Sequence, residues 1–145
     1  MRRNAIAVTG LLAAGAASII FAAGSAQALT TDTTQLGSVH LTKTDASGVT
    51  TSADLSCSAT VDGSGVTTVT GTGTVTNPNA ACTELNAVNG DFSKLLVHPT
   101  WLPLAQPAPV SVTAQGTWGA TAVNWSNTFN NPSTLAKYTG DVFGF

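Results

Sequence analysis

Apolar and polar residues alternate along much of the chain. Leu36–Thr42 puts Val39 and Leu41 on one phase, and Thr51–Ala59 repeats the pattern with Ala53, Leu55 and Cys57. Alternation with period two marks a strand with one buried face, so both segments are predicted strands. Asp62-Gly63-Ser64-Gly65 is a predicted turn. Val66–Thr76 alternates Thr with Val or Gly and reads as a further hairpin arm, weakened by its glycines. Asn77-Pro78-Asn79 ends that arm. Over Ala80–Val88 the period lengthens: Cys82, Leu85 and Val88 fall on one helical face, and Asn89-Gly90 terminates the helix. Asp91 can cap a short second helix over Phe92–Leu96, since its carboxylate can accept orphan amide protons.

From Val97 to Pro109 the pattern fades. Four prolines (Pro99, Pro103, Pro107 and Pro109) make this a stiff, extended loop. Val110–Thr117 and Ala120–Phe129 flank Trp118-Gly119 as a long β-hairpin, with Val112, Ala114, Val123, Trp125 and Phe129 as its buried positions. Asn130-Asn131-Pro132 is read as a chain break, and Val142–Phe145 as a short closing strand. Together these elements predict an antiparallel sheet carrying one or two short helices.

The N-terminus has a different grammar. Met1-Arg2-Arg3 leads into a nearly charge-free stretch to Ala23, followed by Gly24-Ser25 and Ala26-Gln27-Ala28. A basic lead, an apolar middle and an A-x-A end are the parts of a secretory signal peptide, so residues 1–28 are predicted to be removed by cleavage after Ala28. The alternative is a permanent anchor, but the stretch is rich in weakly apolar Ala and Gly, and no basic stop-transfer cluster follows. The paired arginines also admit the twin-arginine export route. The mature domain would be Leu29–Phe145, a single exported and extracellular domain with no membrane attachment.

Composition narrows the chemistry. Only 8% of the residues are charged, and the mature segment carries three lysines against seven acidic residues, a net −4. So few basic groups cannot neutralise a run of phosphates, which excludes a nucleic-acid partner. Thr supplies 23 of the 117 mature residues, in keeping with strands and turns. Cys57 and Cys82 read as one structural disulfide in an exported chain. Two cysteines with two distant histidines do not make a zinc site, and no metal or cofactor is called for.

Catalytic constellations are lacking in the sequence. There is no G-x-S-x-G elbow, no H-E-x-x-H spacing and no phosphate-binding glycine loop. His40 lies in the first strand as a surface residue, and His98 precedes Pro99 in the loop. Asp91, Ser93 and His98 have the residue types of a triad, but closeness in sequence is a poor guide to that geometry. Asn124-Trp125-Ser126 matches a glycosylation sequon, a pattern common by chance. Trp101, Leu102 and Leu104 stand out as large apolar residues on a Pro-rich loop. Either they fold back onto the core or they form an exposed contact surface.

Three segments carry a family resemblance. Cys82–Leu95 (Cys-Thr-Glu-Leu-Asn-Ala-Val-Asn-Gly-Asp-Phe-Ser-Lys-Leu) resembles the helix region of the Streptomyces subtilisin inhibitor family. Thr113–Trp118 (Thr-Ala-Gln-Gly-Thr-Trp) and Val142–Phe145 (Val-Phe-Gly-Phe) resemble its later hairpin and C-terminus. The likeness runs from about Leu36 to Phe145, with a longer Cys57–Cys82 interval here. It implies an α+β sandwich with a five-stranded antiparallel sheet, a homodimer joined through sheet faces, and inhibition of subtilisin-like serine proteases by a substrate-like exposed loop. Carried over without a gap, the loop is Leu102, Pro103, Leu104, Ala105, Gln106 and Pro107. The reactive bond is then Ala105–Gln106, with Ala105 entering the primary specificity pocket.

The resemblance also marks departures. The family ties this loop down with a second disulfide, and the matching positions here are Pro103 and Ser133. Proline stiffening can take over part of that restraint. Pro103 and Pro107 also lack the N–H that a protease strand would accept, forfeiting about 0.5–1.5 kcal/mol per missing bond. The alternative reading is therefore a non-inhibitory secreted binding protein of the same fold.

Overall fold

The computed structural model describes residues 31–145; the expected signal segment 1–28 and its cleavage point lie outside the described residues. Five strands form one antiparallel sheet: β1 (Asp32–Thr44), β2 (Thr50–Val61), β3 (Thr67–Gly73), β4 (Val110–Trp118) and β5 (Thr121–Phe129). Their spatial order is β3-β2-β1-β4-β5, so β1 is central, flanked by β2 and β4, and four antiparallel pairings build the sheet. The two hairpins β1–β2 and β2–β3 turn by the same device. Asp45 Oδ1 accepts from the amides of Ser47 and Val49, and Asp62 Oδ1 from those of Ser64 and Val66. Each turn then needs a left-handed residue, supplied by Gly48 (φ 85°) and Gly65 (φ 80°).

Alternation places Val39, Leu41, Ala53, Leu55, Cys57, Val112 and Ala114 on the buried side, as their spacing predicts. Against them pack α1 (Pro78–Ala87), a 3-10 turn (Phe92–Lys94), α2 (Pro132–Thr139) and the C-terminal residues. Leu41, Leu55 and Leu85 are fully buried, each contributing about 1.5–3 kcal/mol. Val123 and Trp125, predicted buried, are only partly so and lean on the core edge. The Trp125 ring lies 5.5 Å from Phe92 and 6.0 Å from Phe143.

The Cys57–Cys82 disulfide forms, with Cα atoms 5.4 Å apart, and ties β2 to α1. The neighbouring strand accommodates it through Gly71, where a Cβ would lie 2.0 Å from the Pro78 carbonyl oxygen and 2.7 Å from the Cys82 sulfur.

Three local expectations are corrected. The second helix is a single 3-10 turn, Phe92–Lys94, although Asp91 does cap it by accepting from the Ser93 amide. Val142–Phe145 is not a strand. Val142 and Phe143 are consecutive buried residues in a run of turns, with Val142 N–H on the Thr139 carbonyl and Gly144 N–H on the Asp141 carbonyl. Finally, Asn130-Asn131-Pro132 does end β5, but it also opens a helix. Asn131 is its N-cap, Pro132 its first residue and Gly140 (φ 52°) its C-cap.

Candidate functional site

The Pro-rich segment between the 3-10 turn and β4 has no regular structure, as its prolines predict, and it carries the largest exposed apolar side chains among the described residues. Leu102 is 94% exposed and Leu104 72%. Ala105, Gln106 and Pro107 are exposed as well, and within Leu102–Pro107 only Pro103 is partly covered. Trp101 takes an intermediate course between the two readings open to it. It is half-exposed, and its ring stacks on His98 with centroids 3.6 Å apart and planes within 7°.

The helix that sequence reading missed is what holds this loop. At its C-terminal end, where the last carbonyls of a helix lack intrahelical partners, Lys137 accepts from the His98 amide at 2.9 Å and Tyr138 from the Val97 amide at 3.2 Å. At its N-terminal end the side chain of Asn131 is buried and uses every hydrogen-bonding position. Its Oδ1 accepts from Thr134 N–H, Thr134 Oγ1 and Ser133 Oγ at 2.8–2.9 Å, capping the helix. Its Nδ2 donates to the Leu104 carbonyl at 2.6 Å and to the Gln106 carbonyl at 3.2 Å. The Ser133 hydroxyl accepts from the Leu104 amide at 2.8 Å, and the Asn130 carbonyl accepts from the Ala108 amide at 2.8 Å.

The consequence for Ala105 is geometric. Two carbonyls on either side of it converge on one buried donor. The chain bends at Ala105 and Gln106, between those two held carbonyls. Among the described residues none hydrogen-bonds the Ala105 amide or carbonyl. The loop thus leaves an exposed residue with free backbone groups between two held carbonyls. Asn131 and Ser133 are the residues that sequence reading did not assign. The available signal was Asn-Pro before a short segment ending in Gly, which is a helix start and stop.

The remaining candidates are scattered. Asp91 accepts from the Ser93 amide at 3.1 Å and pairs with Lys94 at 3.0 Å. The Ser93 hydroxyl and Lys94 hold its carboxyl below its ordinary value. His98 is engaged with Trp101, and no hydrogen bond joins it to Asp91 or Ser93 among the described residues. His40 lies on the outer face of β1, its Nδ1 2.7 Å from Asp54. Among the described residues Glu84 is the one side-chain carboxyl raised far from its ordinary range, to about 7, chiefly because it is partly buried where α1 meets the C-terminal turn. It accepts from the Asp141 amide at 2.9 Å.

Known proteins are similar to this chain in sequence. Subtilisin inhibitor-like protein 5 of Streptomyces fradiae is 41% identical over 73 residues, covering 50% of this chain and 68% of the relative. Subtilisin inhibitor-like protein 8 of Streptomyces virginiae is 40% identical over 67 residues, covering 44% of this chain and 60% of the relative. Among solved structures, sermetstatin of Streptomyces caespitosus, crystallised in complex with Bacillus licheniformis subtilisin, is similar with a TM-score of 0.49 and 28% identity. That similarity covers 75% of this chain and 98% of sermetstatin. The sequence model of the family described as subtilisin inhibitor-like matches residues 23–131, which is most of the chain. On that match, the chain belongs to the subtilisin inhibitor-like family.

Proposed function

We propose that this protein inhibits subtilisin-like serine proteases, presenting Leu102–Pro107 as a substrate-like segment with Ala105–Gln106 as the reactive bond. The observation that carries this reading is the double grip of Asn131 on the carbonyls of Leu104 and Gln106. A protease accepts a substrate as an added extended strand and attacks one outward carbonyl. Here the segment is anchored by hydrogen bonds before binding, so less conformational entropy is lost on association. Ala105 would fill the primary pocket with its small methyl, and Leu104 and Leu102, already exposed, would fill preceding subsites.

The same grip explains why such a loop would resist turnover. Cutting Ala105–Gln106 leaves one new end preceded by Leu104 and the other beginning with Gln106. Asn131 would hold both carbonyls, so the amine product stays beside the acyl group it left. Held in place, it re-forms the bond rather than departing, as proximity favours the intramolecular step. No side chain of this protein supplies acid, base or nucleophile in that scheme; the chain is a ligand of the enzyme.

Export and assembly belong to the same reading. A secreted partner protease fits an N-terminal segment of signal-peptide type. A homodimer joined through sheet faces would use the side opposite the helices. That side presents Ser38, His40, Thr42, Asp54, Thr113 and Gln115, with the Thr42 and Thr113 hydroxyls 2.6 Å apart. A face of hydroxyl, amide, imidazole and carboxylate groups would pair through polar and water-bridged contacts.

The test is incubation with subtilisin followed by determination of new termini. Slow cleavage confined to Ala105–Gln106, with complex retained, supports the proposal. Rapid cutting through the loop would make the chain a substrate, as the non-inhibitory alternative requires.

A further inference from the structure

We infer that Ser133 is a positioning residue for the contact loop, closing a hydrogen-bonded latch at the position where the resembled family has half of a covalent bridge. This inference rests on the inhibitory reading for its consequence, although the latch itself is a property of the free protein. The Ser133 hydroxyl accepts from the Leu104 amide at 2.8 Å and donates to Asn131 Oδ1 at 2.8 Å, while Asn131 Nδ2 donates back to the Leu104 carbonyl at 2.6 Å. Both backbone groups of one loop residue are thereby held by two side chains that are themselves joined.

Each element of the latch is fixed from the helix side. Ser133 follows Pro132 in the first turn of α2, and Asn131 caps that turn through Thr134 N–H. A serine hydroxyl has one proton to give, and committing it to Asn131 turns a lone pair toward Leu104. The latch grips only backbone atoms, so the Leu104 side chain stays 72% exposed and free for contact. A bridge between residues 103 and 133 would restrain the loop through a side chain. The hydroxyl reaches the next residue along and restrains the backbone beside Ala105 directly. With proline at 103 and serine at 133, this loop is still anchored at residue 133.

The experiment compares Ser133→Ala and Ser133→Thr with the wild-type chain. Amide hydrogen exchange at Leu104 in the free protein reads the latch without reference to any protease. In Ser133→Ala the Leu104 amide exchanges at least several-fold faster, while the Ala108 amide, held by the Asn130 carbonyl, keeps its wild-type rate. Against subtilisin the variant binds roughly three- to tenfold more weakly, the range expected for one hydrogen bond, and its Ala105–Gln106 bond is cut faster. Ser133→Thr, which keeps the hydroxyl, restores both rates. A Leu104 amide that is unprotected in the wild type, or unchanged in Ser133→Ala, overturns the latch whatever the protease assay shows. Wild-type inhibition left unaltered in Ser133→Ala overturns its role in positioning. A wild-type chain that fails to inhibit subtilisin instead refutes the functional reading, and the exchange rates still decide the latch.

Discussion

Asn131, buried at the head of α2, holds the carbonyl of Leu104 at 2.6 Å across 27 positions of sequence. One side chain thus serves two structures. Its oxygen starts a helix, and its nitrogen aligns an exposed loop. Replacing it with Ala removes the cap, worth about 1 kcal/mol, and two loop contacts of about 0.5–1.5 kcal/mol each. Asn131→Ala should lower stability by about 2–4 kcal/mol on those figures, read by denaturant unfolding. In conditions where the variant remains folded, it should be cut by subtilisin as a substrate. A variant that still inhibits like wild type would show that the grip is dispensable.

Stability should depend on pH through Glu84. Burial raises its carboxyl to about 7 in the folded protein, above its ordinary 4.5. Between those values the folded chain holds the proton more tightly than the unfolded chain, so stability falls as pH rises from about 4.5 to about 7. Below that window the full stabilisation is present, and above it the contribution is gone. Glu84→Gln keeps an oxygen for the Asp141 amide and cannot ionise. It should flatten this part of the profile and melt higher than wild type at pH 8, as measured by circular dichroism at pH 5 and pH 8. An identical pH profile in the variant would assign the slope elsewhere.

The disulfide and the loop should be separable. Cys57–Cys82 ties β2 to α1, whereas among the described residues every hydrogen bond to Leu104–Gln106 comes from Asn131 and Ser133. Replacing both cysteines with Ala should cost about 3.5 kcal/mol, the loop-closure value for a cross-link of this span. Well below its reduced melting temperature, the double variant should keep wild-type inhibition constants. Loss of inhibition in a folded double variant would mean that the bridge supports the loop at a distance.

Much of the sheet was legible because burial on one face imposes alternation: Val39 and Leu41, Ala53 through Cys57, and Val112 with Ala114 all face the core as their spacing predicts. Asp62 and Asp91 also act where their positions suggest, since turn and cap chemistry is local. The errors share a physical origin. In sequence Asn77-Pro78 and Asn131-Pro132 look like punctuation, but both pairs open helices because proline suits the first helical position. α2 buries only Leu135 and Thr139, so it lacks the apolar stripe that announces a helix. The apolar tail Val142–Phe145 resembled a strand, yet consecutive burial of Val142 and Phe143 is satisfied by turns wedged against Phe92 and Trp125. The loop itself was legible from its prolines. Its restraint was not, because a contact between Asn131 and Leu104 leaves no periodic trace.

The central claim is that Ala105 is the residue a protease reads. It is tested most directly by titrating subtilisin activity with the wild-type protein, beside an Ala105→Lys variant assayed on trypsin. The account predicts stoichiometric loss of subtilisin activity with the wild type and new inhibition of trypsin by the variant, since only the outward residue of the loop has changed. Undiminished subtilisin activity with rapid cleavage in the loop, or a variant that leaves trypsin untouched while subtilisin inhibition persists, would contradict it.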